Sequence, residues 1–299
     1  MNFFSTLLDC LLDTVIDTLK LLPVLFITYL IMEAIEHKAG ERTLSFIRSA
    51  RGWGPLAGGA LGILPQCGIA GGAANLYATN VISAGTFIAV IMATSDEMLP
   101  ILISDGSASD ILRFILFKLC FGIAAGFAVD GLLHLRRALR LRRGIASESD
   151  ENEISSVCER EGCDCDEHGI FRSALHHTLH VTLLLFLVSF VISCLVSFIG
   201  KERISELPIN APVIGEAIAG IIGLIPNCSI SVMLTEFYLE DVIGAGQMMA
   251  GLLVNGGVGL LVLYRTNKGK KYVKQNLAVT GVILLLGVAG GLLASLLFR

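Results

Sequence analysis

No Walker lysine motif, no nucleophile–base constellation and no pair of acids set for acid–base work occurs in the 299 residues. The first absence removes direct ATP drive unless a separate subunit supplies it, and the other two argue against an enzyme. No cofactor motif is present, and no nucleic acid partner is expected. Charge is scarce as well: 16% of residues are charged and 54% are hydrophobic, where soluble domains carry about 25% charged residues. The N-terminus, MNFFSTLLDCLLDTVIDTLK, lacks the basic start and small-residue cleavage site of a signal peptide, so it reads as mature chain.

What the chain has instead is apolar length. Its mean hydropathy is +0.74, and the apolar residues come in runs of about twenty, the length that crosses a bilayer core. The clear spans are 14–35, 80–103, 111–135, 174–199, 242–264 and 277–298, with two shorter, Gly-rich apolar segments at 54–79 and 213–239. Basic loops at 37–51, 136–143 and 265–274 belong on the cytoplasmic side, and the loop at 104–112, without a positive charge, belongs outside. The acidic N-terminus is then outside, as is the C-terminus. The net charge of −4 averages these regions and decides nothing.

Sliding the chain against itself by 161 positions aligns residues 13–138 with the second half without a gap. Gly59 meets Gly220, Gly62 meets Gly223, Pro65 meets Pro226, Cys67 meets Cys228 and Tyr77 meets Tyr238, and Val81, Ile82, Ala84, Gly85 and Ala89 meet Val242, Ile243, Ala245, Gly246 and Ala250. Apolar composition does not align Pro-x-Cys with Pro-x-Cys, so the chain reads as a duplication. The outer loop at 104–112 is matched by the basic loop at 265–274, which makes the repeats inverted. The expected fold is an all-α polytopic membrane protein of two inverted repeats with broken or re-entrant helices, in about eight to ten membrane segments. Residues 1–143 form the first repeat, 144–171 a cytoplasmic linker and 172–299 the second repeat.

Pro65 and Pro226 remove a backbone donor inside apolar segments, and the glycines around them weaken the helix further. Each segment is expected to break into half-helices, a backbone state tolerated at membrane depth only inside protein or beside a wet cavity. Gln66, Cys67, Asn75, Asn227, Cys228, Ser229, Ser231, Thr235 and Glu236 follow the breaks. Each Pro-x-Cys would start a half-helix whose positive end favours an anion or a thiolate. The plainer reading is a pair of packing kinks with the cysteines as small apolar residues. Asp96 and Glu97 interrupt another apolar run and are either functional carboxylates or acids facing external water. The second repeat has no carboxylate at the equivalent positions. Asn255, within GLLVNGGVG, is the better placed site residue. Glu216, Glu240 and Asp241 read as interfacial.

In the acidic linker stand Cys158, Cys163, Cys165 and His168, with His176, His177 and His180 at the start of the next helix. His176 and His180 are one turn apart and share a face, a spacing that suits one metal ion. A reducing compartment argues against disulfides, leaving free thiols or a metal-collecting segment, although the spacing matches no standard zinc motif.

The pairing of LPQCGIAGGAANLYATNVISAGTFIAVIMATSDEMLPIL with LIPNCSISVMLTEFYLEDVIGAGQMMAGLLVNGGVGLL, together with the Cys/His linker, resembles the ten-helix heavy-metal exporters, also described as arsenic efflux or manganese transporters. The resemblance covers nearly the whole chain and implies an exporter of a metal or metalloid in the plasma (inner) membrane. Thiols at the breaks suit a soft ion, whereas Asn, Gln, Glu and backbone carbonyls suit a harder one such as manganese. A carrier for a small organic solute, anions included, is the alternative, and a membrane enzyme or scaffold comes third.

Overall fold

The computed structural model describes residues 51–64, 67–94, 98–105, 108–142, 213–267 and 270–298, with scattered helical positions between 7 and 30 and between 171 and 194. Among the described residues there is no strand, and ten α-helices carry the fold. In chain order they are α1 (Gly54–Gly62), α2 (Cys67–Ala78), α3 (Ala84–Ala93), α4 (Met98–Asp105), α5 (Ala108–Arg142), α6 (Ile214–Gly223), α7 (Cys228–Leu239), α8 (Ala245–Val254), α9 (Gly259–Thr266) and α10 (Lys270–Leu297). The linker at 144–171 lies almost wholly outside the described residues, as do most positions of the expected spans 14–35 and 174–199.

The shift of 161 seen in the sequence recurs in the backbone. Helices α2, α3 and α4 map onto α7, α8 and α9 with the same shift at both ends, and α1 and α6 end on equivalent glycines. The turn after α2 passes through Asn80 at φ 61°, and the turn after α7 through its equivalent Asp241 at φ 57°. Asn and Asp tolerate this left-handed region better than other side chains do. Both turns close alike: Val81 and Ile82 donate to the Leu76 oxygen, and Val242 and Ile243 to that of Phe237. Equivalent short sequences have thus folded into equivalent corners.

Packing between the halves is reciprocal. Helix α2 packs on α9, α7 packs on α4, and α3 meets its own counterpart α8. Close approach depends on glycine: a Cβ on Gly256 would lie 2.3 Å from Ile91 Cδ1, and one on Gly259 would lie 3.0 Å from the Ala70 oxygen. Two buried cores result. One gathers α2, α3 and α9 with parts of α8 and α10, and the other gathers α4 and α7 with the start of α5 and much of α8.

The expected continuous spans 80–103 and 242–264 are instead interrupted. Helix α3 stops at Ala93, with Thr94 as its C-cap, and the chain is helical again from Met98. Helix α8 stops at Val254, and α9 starts at Gly259. In the second half the cause is visible: the Asn255 side-chain oxygen accepts from Gly257 N at 2.9 Å, in place of a helical bond, and Gly257 takes φ 53°.

Among the described residues, three stretches are long and apolar enough to cross a membrane: Ile111–Leu139, Ala245–Thr266 and Tyr272–Leu297. Their surroundings differ. The apolar window of the second is 94% buried, against 28% and 33% for the first and third. The α8–α9 pair is therefore central among the described residues, and α5 and α10 expose Leu112, Leu116, Leu277, Leu285 and Leu296. Exposed apolar side chains on helices of this length suit lipid. At 35 residues, α5 is about 52 Å long, longer than the roughly 30 Å hydrocarbon core of a bilayer.

Candidate functional site

Two of the sequence-selected residues, Asn227 and Asn255, are joined in one hydrogen-bonded unit at the centre of the second half. Asn227 is extended (φ −148°, ψ 137°) and caps α7 by accepting from Ser229 N at 2.9 Å. This satisfies one of the free donors of the first turn. The Asn255 side-chain nitrogen donates to the Asn227 backbone oxygen at 3.4 Å while its oxygen holds Gly257. The start of α7 and the end of α8 are thus tied together, with buried Cys228 beside them as the first residue of α7. Below it, Ser231 donates to the Cys228 oxygen and Thr235 to the Ser231 oxygen, both at 2.7 Å.

Asn75 takes part in a different contact, across the two halves. Its side-chain oxygen accepts from Thr266 Oγ1 of α9 at 2.7 Å, its nitrogen has no partner among the described residues, and the residue is 0% exposed. Such an amide leaves part of its desolvation cost uncompensated. Nearby, Gln275 donates to the Tyr77 hydroxyl at 2.9 Å, and Asn267 and Asn276, both buried, bond each other at 3.1 Å. The α2–α9–α10 corner is a polar patch inside an apolar protein. Glu236, the counterpart of Asn75, is half-buried on α7.

Of the other sequence-selected residues, Pro65, Gln66, Asp96, Glu97, Cys158, Cys163, Cys165, His168 and His180 lie outside the described residues. Cys67 begins α2, in the position where Cys228 begins α7, and Pro226 lies between α6 and α7. His176 is exposed on a helical stretch.

Glu216 is buried in protein: it is 2% exposed, with Oε1 accepting from Gln247 Nε2 at 3.3 Å and Oε2 without a partner among the described residues. It sits in the first turn of α6 and against the first turn of α8, where a Cβ on Gly246 would lie 3.0 Å from Oε1. Two positive helix ends attract the carboxylate there. The first half achieves the same with a different residue. Asp130 of α5 accepts from Ser83 Oγ at 2.6 Å and from Gly85 N at 2.8 Å, at the start of α3. Under the repeat shift Asp130 corresponds to Gly291 and Glu216 to Pro55, so the carboxylate is kept while its carrier changes.

Lys118 was missed by the sequence reading. It is 1% exposed, and its ammonium donates to the Thr94 backbone oxygen and, at 3.1 Å, to that of Leu252. Its signal was present: it is the one charge in the stretch 114–129, and an ionisable residue inside a span deserves a partner search.

Fold and site together define a helical protein with an apolar exterior fit for a membrane and a central set of interrupted helices. No protein-family model, curated protein or solved structure matches the chain. Among the described residues, no three His, Cys, Asp or Glu side chains gather in a way that could hold a metal ion.

Proposed function

We propose that the chain is a secondary membrane transporter of two inverted repeats, exporting a metal or metalloid ion through a site at its helix breaks. The observation that carries this reading is the exchange of partners between halves: α2 packs on α9 as α7 packs on α4. Two structurally equivalent units wrapped around interrupted central helices can rock against each other and expose one site to either side in turn. Opposite loop charge at 104–112 and 265–274 supports inversion. The Asn227–Asn255 unit and the buried Cys228 thiol supply amide, carbonyl and sulfur atoms for an ion at the centre.

One observation favours a second reading, a carrier for a small organic anion. The buried Asn75 amide nitrogen lacks an acceptor among the described residues, and a donor of this kind suits a carboxylate or other acceptor-bearing solute. Thermal unfolding of the purified protein with manganese, zinc, cadmium, arsenite and a panel of organic anions separates the two. A ligand of the folded state raises the midpoint in proportion to its occupancy. Stabilisation by metals, followed by flux of the same ion in proteoliposomes, is the expected result. A response to organic anions alone would replace the metal reading with the carrier reading, and no response with no flux would remove both.

A further inference from the structure

Two cysteines outside the central site stand side by side. Cys10, buried, and Cys194, half-buried, lie at helical positions in opposite halves of the chain, and both carry thiols. The Cys194 thiol is hydrogen-bonded to that of Cys10. A second contact joins the same two stretches: the Phe26 and Phe171 rings meet edge to face with centroids 5.3 Å apart. Cys10 meets Cys194 and Phe26 meets Phe171, so the two stretches run antiparallel. Each turns polar side chains inward, with Thr14 on one and Thr178 and Thr182 on the other buried, while Leu8, Leu12, Leu183 and Leu187 are exposed. The repeat shift converts Cys10 to Phe171 and Cys194 to Glu33, so the equivalent pair carries no thiol.

We propose that Cys10 and Cys194 are an oxidisable pair whose disulfide fastens the two halves together at the external face. The placement follows from the topology: Cys10 precedes the span 14–35, which starts outside, and Cys194 stands near the end of 174–199, which starts from the cytoplasmic linker. Disulfides persist outside the cytoplasm. The oxidant is a small-molecule disulfide or the disulfide of an oxidoreductase. Half-buried Cys194 gives up its proton and attacks that disulfide, releasing one of its sulfurs as a thiol, and buried Cys10 then gives up its proton and displaces the other from the mixed disulfide. Two cysteine thiols are oxidised, the oxidant is reduced to two thiols that take up the two protons, and one S–S bond replaces another. A disulfide holds its sulfur atoms about 2.05 Å apart, a gap that partners already in hydrogen-bond contact close by a small movement. This rests on the proposed topology but on no substrate, so a protein that binds and moves no ion leaves it standing.

The test uses the full-length chain in detergent with oxidised glutathione, followed by alkylation, digestion and mass spectrometry. The expected product is a linked peptide holding Cys10 and Cys194, lighter by two hydrogens than the sum of its parts and separated again by dithiothreitol. Cys10→Ser should instead retain glutathione on Cys194, and Cys194→Ser should keep Cys10 as a thiol because it is buried. In right-side-out vesicles, oxidised glutathione added outside should give the same linked peptide. A folded wild type that yields no such peptide in detergent overturns the pairing, as does Cys194 joined in its place to exposed Cys120 or to a second chain. Linkage only by oxidant enclosed within the vesicles overturns the external placement and, with it, the proposed topology. Pairing is thus read in detergent and topology in vesicles.

Discussion

Asn227 holds two roles that a single substitution confounds. Its side-chain oxygen caps α7, and its backbone oxygen receives Asn255. Loss of an N-cap side chain costs about 1 kcal/mol, so Asn227→Ala should lower the thermal unfolding midpoint whatever the residue does for a substrate. Serine caps nearly as well as asparagine but has no amide. Asn227→Ser should therefore keep most of the wild-type midpoint. If Asn227 also meets the transported species, flux should fall severalfold in both variants at equal protein amount. Wild-type flux in Asn227→Ser would confine the residue to capping. Among single residues, those that announce themselves in sequence are those whose chemistry is out of place in an apolar run, such as Asn227, Asn255 and Cys228. Glu216 and Asp130 were harder to read because their meaning depends on a glycine in another helix, Gly246 or Gly85, that lets the carboxylate approach.

At the scale of elements, the interruption before α7 could be read directly, since Pro226 cannot continue a helix and Asn227 is a good cap for the next one. The interruption after α8 was passed over because GLLVNGGVGLL still scores as one apolar run and contains no proline. Its cause is a local competition that hydropathy does not register: the Asn255 side chain captures Gly257 N, and Gly257 adopts a left-handed conformation. A side chain at that φ costs roughly 1–2 kcal/mol. Gly257→Ala should accordingly destabilise the protein by about that amount, and more if the new Cβ meets a neighbour. The measurement is the thermal midpoint against Gly131→Ala, where a Cβ would meet nothing within 4 Å. A Gly257→Ala midpoint equal to that of Gly131→Ala would show that the bend is set by contacts elsewhere and not by the glycine.

Across the whole molecule the duplication was legible as a spacing, while the chemical difference between its two ends was not, because it depends on which residues of opposite halves meet. Tyr77 receives a hydrogen bond from Gln275. Under the repeat shift the same contact in the other half is Tyr238 with Phe114, and there the rings pack edge to face with centroids 5.5 Å apart. Phe298 closes on the same Phe114 at 5.0 Å. One end of the molecule is held by amides and hydroxyls, and the other by an aromatic cluster. Under the proposed topology, in which 265–274 lies inside, the polar end is cytoplasmic and the aromatic end is external. An aromatic pair contributes about 0.5–1.5 kcal/mol beyond its buried area, enough to change a two-state population roughly two- to tenfold. Phe114→Gln should weaken the outer closure, and Gln275→Phe should remove the hydrogen bond to Tyr77 at the inner one. The readout is the rate at which an impermeant thiol reagent, added from outside to oriented vesicles, modifies Cys228 as the single cysteine. Phe114→Gln should raise that rate by about two- to tenfold, and Gln275→Phe should raise the rate for reagent added from inside. Equal rates from both sides in both variants would mean that these contacts fasten a static bundle, and alternating exposure of the central breaks would have to be given up.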